Sequence, residues 1–524
     1  MTAPTDAPVP VPPVARTVPE LLAWRVAVHP QQVALRVHGV AELTFAEWWE
    51  AAGAVAGALR RRGVGPGDRV GLVFGARDWI GYAVAYCGVL RAGAVAVPLS
   101  DRSAPTQLGY ALDHCRATAV VHGQTPAPTG LPSWPVTLLR GEDDTGPDHP
   151  VRPDDLAQIL YTSGTTGRPK GVKASHANLT VGAPRHPRRL PLAHSQRFLH
   201  AFPIGTNAGQ TMLFNALTAR PTALTLPGFT PARFARLIAA EGTGTVFLVP
   251  SIAIELLDSG ALDGRDLGGV HLVGSTAAAL PPAVATRLAA AFPAATVVNY
   301  YTSTEAAPAQ TTMIFDPARR EAVGRPVGGD LRIADPQGQP LPTGEVGEVW
   351  LRSPHPRSYH RDASATRATF RDGWVRMGDV GRLDADGYLY LTDRHQDVIK
   401  SGAFKISSLE VEAALHEHPG IAEAAVVAVA HPVLGSVVAA VLVARPTTAD
   451  TDLALPAARS CDTDLTLPAV RSCDTDLTLP AVRSFLAGRL ADHQLPARLL
   501  LVRQLPRNEG GKVLKRQLAA RFDD

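Results

Sequence analysis

The chain has 524 residues, too many for a single hydrophobic core, so two or more domains are expected. A formal net charge of +3 implies no nucleic-acid or anionic-membrane partner, and 45% hydrophobic with 19% charged residues is a globular composition. No apolar run reaches the roughly 18 residues of a membrane span, residues 1–13 lack the basic and apolar regions of a signal peptide, and Cys87, Cys115, Cys461 and Cys473 show neither metal nor disulfide spacing, so a cytoplasmic enzyme is expected.

From about residue 18 the pattern alternates. Residues 18–24 and 45–62 carry apolar side chains at helical spacing, while 69–74 and 94–98 read as buried strands bounded by Gly and Pro. The alternation continues through strands at 119–121, 156–160, 245–249, 270–273 and 296–298, with helices at 231–241 and 281–291. Such repetition predicts an α/β fold with parallel sheets covered by helices in a large N-terminal domain. From Gly344 the texture changes, and 347–352 and 387–391 look like strands of a smaller, antiparallel or barrel-like subdomain. After a polar-to-apolar junction at 393–400, a helix at 407–415 and strands at 424–430 and 437–443 suggest a small α+β domain of about 130 residues, a normal domain size. The expected division is therefore residues 1–392 and 393–524.

A tandem repeat with a period of twelve interrupts the second domain at 451–484 (TDLALPAARSCD, TDLTLPAVRSCD, TDLTLPAVRS). Three near-identical copies are too few for a solenoid and read as a recent duplication. The last copy should start the native helix that runs to Leu490, leaving 451–474 as an inserted surface loop.

Chemistry concentrates in a few strings. YTSGTTGRPKGV (161–172) puts Thr162, Ser163, Gly164, Thr165, Thr166, Gly167 and Lys170 just after a short buried strand. Glycines let backbone N–H groups approach a phosphate, hydroxyls add donors, and the lysine adds charge. It is not a Walker loop, because Pro169 precedes the lysine and no Gly-Lys-Ser/Thr ends it. Only six of the 51 basic residues are lysines (Lys170, Lys173, Lys400, Lys405, Lys512, Lys515), and all lie in three short segments. In an arginine-biased chain a retained lysine points to a need for a compact ammonium.

The 161–172 string resembles the phosphate-binding loop of the adenylate-forming superfamily of acyl-CoA synthetases, aryl-acid ligases, luciferases and peptide-synthetase adenylation domains. Further strings match in the same order. NYYTSTE (299–305) resembles the Tyr-Gly-x-Thr-Glu element, with Tyr301 beside the nucleotide, Thr304 on the α-phosphate, Glu305 holding Mg²⁺, and Thr302 in place of the usual glycine. RMGD (376–379) and Asp393-Arg394 resemble the elements whose Asp379 and Arg394 reach the ribose hydroxyls. LPRNEGGKVLK (505–515) resembles the element whose lysine, here Lys512, contacts the α-phosphate and the reacting carboxylate. Gly274 and Ser275 would form a wall near adenine.

The resemblance implies a large domain with a barrel-like part and a small C-terminal lid that rotates between two half-reactions. In the first, acid and MgATP give acyl-AMP and pyrophosphate. In the second, the thiol of coenzyme A or of a carrier-protein phosphopantetheine displaces AMP. The lid pivot would fall at Gln396 or Asp397, and Gly402 would line the thiol path. LHAFPIGTNAG (199–209) resembles the start of the acyl pocket, with Phe202, Gly205, Thr206 and Asn207 as substrate-side residues. No acidic residue occurs from Thr180 to Thr230, so an α-ammonium has no partner there, and a fatty or aryl acid without a free α-amine is expected. Asn207 tilts the choice toward an aryl acid, and Gly205, Ala208 and Gly209 would leave room for a sizeable group. The competing expectations are an amino-acid or unusual-acid adenylating enzyme of a biosynthetic cluster, and a nucleotide-binding homologue that has lost catalysis.

Overall fold

Thr44 sets where the first long helix begins. Its hydroxyl accepts from the Glu47 N–H at 3.2 Å while the Glu47 carboxylate accepts from the Thr44 N–H at 2.8 Å, a reciprocal cap that starts the helix Phe45–Arg61. This helix packs on Trp79–Arg91 so closely that a Cβ on Gly88 would lie 2.6 Å from Val55 Cγ1, which accounts for the small residues at the crossing. The computed structural model describes residues 14–125, 130–142, 146, 148–162, 169–240, 242–327, 329–394, 397–402, 404–445, 477–508 and 510–522.

Two sheets sandwich these helices. One has seven strands, with Arg69–Phe74 and Val95–Ser100 at its centre and the hairpin of Leu156–Thr162 and Lys170–Ser175 toward one edge. The other has fourteen strands. Its parallel half runs through Val33–Val37, Thr222–Thr225, Arg197–His200, Thr245–Leu248, Leu272–Ser275 and Thr296–Tyr301. Trp48, Trp79, Tyr82, Tyr86, Phe198 and Phe202, all under 2% exposed, fill the layer between the sheets.

The predicted change of texture occurs earlier than Gly344. Pairing reverses at Gln310–Ile314, which runs antiparallel to Thr296–Tyr301, and every later strand of that limb is antiparallel. The limb is therefore hydrogen-bonded to the parallel half as one continuous sheet.

The C-terminal unit has its own core of Ile399, Ile406, Val411, Leu415, Val426, Leu442, Val482 and Leu486, formed where helices Ser408–Leu415 and Leu479–Ala487 cover the strands Ile421–His431 and Gly435–Ala444. Thr478 caps the second helix, so the last repeat copy does start it, whereas the expected insertion 451–474 lies outside the described residues. Asp393 ties the junction to this unit. Its Oδ2 accepts from the Ser408 N–H at 2.6 Å, and its Oδ1 accepts from the Arg394 N–H at 2.7 Å and the Ser408 hydroxyl at 3.1 Å.

Burial pushes the Asp393 carboxyl up to about 6, against the pull of those donors and of Lys515. Between about pH 4 and 6 the unfolded chain has lost this proton and the folded chain has kept it, so stability falls as pH rises through that window. Asp393→Asn is expected to remove roughly 1–3 kcal/mol of that decline. Denaturant midpoints from pH 4 to 8 check this: a slope equal to that of the parent chain would contradict it.

Candidate active site

Strand register assembles the first part of the site. Asp379 on Trp374–Leu383 lies directly opposite Arg394 on Leu389–Arg394, and the Arg394 Nε sits 3.4 Å from Asp379 Oδ1. From the end of the strand Thr296–Tyr301, Tyr301 donates its hydroxyl to Asp379 Oδ2 at 2.5 Å. The Asp379 side chain is 9% exposed. Burial raises its carboxyl above the usual range, and Arg394 and Tyr301 pull it back. The result is a fixed acceptor suited to a pair of vicinal hydroxyls.

The loop after Tyr301 carries the second part. Thr302, which replaces glycine in the expected motif, donates its hydroxyl to the Ala309 carbonyl at 2.7 Å and closes the loop. Tyr359 donates to Glu305 Oε1 at 2.9 Å, and Lys170 Nζ lies 4.9 Å from the centre of the Tyr359 ring. These groups meet because the short strand Ser358–Tyr359 pairs antiparallel with Lys170–Ser175, Tyr359 opposite Val172. Thr162 donates to the Lys170 carbonyl at 3.4 Å across the base of the hairpin. Ser163, Gly164, Thr165, Thr166 and Gly167 lie outside the described residues.

Arg357, like Tyr359, is a residue of this corner that the sequence motifs did not single out. The Arg357 guanidinium, in a residue 8% exposed, donates Nη1 to the Thr304 carbonyl at 2.8 Å. Burial lowers it to about 10, against the pull of the Glu305 carboxylate. The Thr304–Glu305 turn is thus held by Arg357 through its backbone and by Tyr359 through its carboxylate. The donor set here is hard oxygen, and among the described residues no group of three or more His, Cys, Asp or Glu could hold a metal. A single carboxylate fits Mg²⁺, which keeps waters and phosphate oxygens rather than demanding an all-protein cage.

In the segment expected to start the acyl pocket, Phe202 is buried and Thr206 caps the helix Asn207–Thr218, accepting from the Gly209 N–H at 3.0 Å and donating to the Pro203 carbonyl at 2.8 Å. Asn207 is the first residue of that helix. The glycines have a different purpose from the one expected. A Cβ on Gly205 would lie 3.2 Å from the Ser100 backbone nitrogen, and one on Gly209 would lie 2.0 Å from the Pro203 oxygen. Both are small so that backbones can approach, not to enlarge a pocket. Gly274 is clasped between rings, where a Cβ would meet Phe247 at 2.8 Å and Tyr300 at 3.0 Å, and Ser275 is fully buried.

The C-terminal unit brings Lys512 to this side. A Cβ on Gly511 would lie 3.3 Å from Val249 Cγ2 and 3.4 Å from Ser251 Oγ, and one on Gly510 would lie 3.9 Å from Thr206 Cγ2. The loop carrying Lys512 therefore rests against Thr206 and the start of the helix Pro250–Asp258. Gly402 is not part of this contact. It occupies a left-handed turn (φ +57°), donates its N–H to the Leu434 carbonyl at 2.8 Å, and packs within the C-terminal unit. Gln396 lies outside the described residues, and Asp397 donates its N–H to the Arg394 carbonyl at 2.9 Å.

Comparison with known proteins identifies the family. The family model described as AMP-binding enzyme matches residues 22–357, and the model for the AMP-binding enzyme C-terminal domain matches residues 410–512. A feruloyl-CoA synthase from Amycolatopsis sp is 32% identical over 95% of this chain and 97% of its own length. A sulfoacetate–CoA ligase from Cupriavidus necator is 30% identical over 84% and 92%. The crystal structure of ATP-bound MatB from Rhodopseudomonas palustris superposes with a TM-score of 0.82 at 28% identity, covering 97% of this chain and 99% of that one. No helix among the described residues is long and apolar enough to cross a membrane. With both domain models matched in order and a relative aligned from end to end, the chain belongs to the adenylate-forming AMP-binding enzyme superfamily and is an enzyme of its AMP-forming acid–CoA ligase family.

Proposed function

We propose that the protein activates a carboxylic acid without a free α-amine, aryl in preference to fatty, as its acyl-AMP, and then transfers the acyl group to the thiol of coenzyme A. The observation that carries this reading is the seating of the Lys512 loop against Ser251 and against Thr206, the latter within the segment where the acid would bind. In the first step a carboxylate oxygen bonds to the α-phosphorus of ATP and the bond to the bridging oxygen of pyrophosphate breaks. Two anions must meet, and the Lys512 ammonium lowers the cost of bringing them together. Asp379 and Arg394 would hold the ribose, Tyr301 would keep Asp379 aimed, and Lys170 with Ser163–Gly167 would hold the phosphates. Gly274 and Ser275 would border the adenine. Glu305, braced by Tyr359, would hold Mg²⁺, which when bound neutralises phosphate charge.

In the second step the thiol sulfur bonds to the acyl carbon and AMP leaves with its phosphate. We propose residues 393–524 as the unit that reorients between the steps, with the hairpin around Gly402 facing the thiol. The similarity to a feruloyl-CoA synthase supports both the aryl acid and coenzyme A as acceptor. The neutral wall of Phe202, Thr206 and Asn207 supports an acid that brings no ammonium.

Pyrophosphate release with MgATP, across aryl, fatty and amino acids and with no thiol present, tests this. Aryl acids are expected to give the fastest release and amino acids none. Release driven by an amino acid would overturn the reading of the acid pocket. Adding coenzyme A should then yield the thioester of the same acid. Adenylation without any transfer to coenzyme A would move the acceptor to a carrier protein.

A further inference from the structure

Resting on the proposed role of Lys512, we infer that Arg507 is a positioning residue that holds the lysine loop in its reactive shape and neutralises the seam along which the C-terminal unit docks. The loop is short and tightly tied. Asn508 and Lys512 exchange bonds, the Asn508 N–H to the Lys512 carbonyl and the Lys512 N–H to Asn508 Oδ1, both at 2.9 Å. The Gly511 N–H reaches the Asn508 carbonyl at 2.9 Å, and Arg507 pairs with Val513 across the neck. Gly511 takes φ +79°, a conformation that a side chain resists. Arg507 closes the remaining gap: its Nη1 donates to the Gly511 carbonyl at 2.7 Å, one residue before Lys512, and its Nη2 meets Glu423 Oε2 at 2.8 Å. One guanidinium thus anchors the catalytic loop to the strand Ile421–His431.

That strand faces the helix Pro250–Asp258 of the large domain, and the helix meets the C-terminal unit along its length. Its first turn takes Gly511 through Ser251. At its last residue, Asp258 Oδ1 lies 3.6 Å from Arg445 Nη1 of the C-terminal unit and 2.5 Å from Arg287 Nη2 of the large domain. Between these ends the helix packs on the strand Ile421–His431, which brings Glu255 within the field of Glu423. Burial raises the Glu255 carboxyl, and the Glu423 charge raises it further. Two carboxylates opposed across a docking seam resist closure unless one is neutralised, and Arg507 is the cation bound to Glu423. Loop geometry and seam charge are therefore set by the same side chain.

Arg507→Met, Arg507→Lys, Glu255→Gln and the double variant Arg507→Met with Glu255→Gln separate the two roles. Arg507→Met is expected to slow acid-dependent pyrophosphate release roughly 10- to 100-fold, the scale for displacing a catalytic group by about 1 Å. KM for ATP should stay within about twofold, because Lys512 acts on the reacting groups rather than on the nucleotide. Arg507→Lys should recover part of the loss, since an ammonium can pair with Glu423 but has no planar fork to reach Gly511 as well. Glu255→Gln alone should be close to neutral, and in the double variant it should recover activity by about three- to tenfold by removing the opposing charge. Thioester formation from preformed acyl-AMP should be unchanged in every variant, which also shows that each is folded. Full adenylation by Arg507→Met in an enzyme that Lys512→Ala disables would overturn the inference. A double variant no better than Arg507→Met would overturn the seam role. Full adenylation by Lys512→Ala itself would instead overturn the functional reading on which the inference rests.

Discussion

Lys512→Ala is expected to lower the rate of acyl-AMP formation by about 10²–10³-fold, the loss typical of removing one preorganised group that stabilises charge in the transition state. The reason is local. Lys512 is carried on a loop that rests against Thr206, Val249 and Ser251, beside the segment proposed to bind the acid, and no other lysine lies in that loop. Nucleotide affinity should barely move, because in the proposed site the ribose is held by Asp379 and Arg394 and not by Lys512. Thioester formation from supplied acyl-AMP should also persist, since that step joins no carboxylate to phosphate. Separate assays of the two half-reactions, with a direct measurement of ATP binding, check this. Equal losses in both half-reactions would argue that Lys512 supports the fold rather than the first step. A wild-type chain that binds ATP but releases no pyrophosphate with any acid would favour a homologue without catalysis.

Asp379→Asn should show the opposite pattern: weaker binding of ATP and of acyl-AMP alike, by about 10- to 100-fold, or roughly 1.4–2.8 kcal/mol. The carboxylate is buried, aligned by Tyr301 at 2.5 Å and faced by Arg394 at 3.4 Å. Asparagine keeps the shape and can still accept from Tyr301, but its amide nitrogen cannot accept from a ribose hydroxyl. The loss of charge also leaves Arg394 without its partner. Both half-reactions use the AMP portion, so both should suffer through KM. Titration calorimetry with ATP and with AMP gives the binding change directly. Unchanged affinity for both would remove Asp379 from the ribose site and leave it as a strut for Arg394.

Much of this was legible in the residues themselves. The strands Arg69–Phe74 and Gly347–Arg352 occur as predicted, because β-branched and aliphatic runs bounded by glycine or charge carry their own period. The helix expected at 407–415 forms with Ser407 as its cap, accepting from the Glu410 N–H at 3.1 Å, while the Glu410 carboxylate accepts from Gln494. The strand expected at 270–273 forms at Leu272–Ser275, since its start is set by pairing with Thr245–Leu248, a partner that local sequence does not reveal. The scarcity of lysine was a partial guide. Lys170 lies over the Tyr359 ring and Lys512 is carried on the loop that rests against Thr206 and Ser251, while Lys515 is a structural cation, 2.8 Å from Glu412 Oε1 and 2.8 Å from Ser408 Oγ.

By itself the sequence determined the family, the order of the motifs and the chemical type of each motif residue, because those are properties of short strings. Only the tertiary structure decided which of those residues meet, and which silent ones join them. Arg357 reaches Thr304 across 53 positions, and Arg507 reaches Glu423 across 84. Arg357 stands outside the strings that announce a role and Arg507 stands silently inside one, since an arginine's partner is chosen by strand register and tertiary packing, and those interactions are long-range.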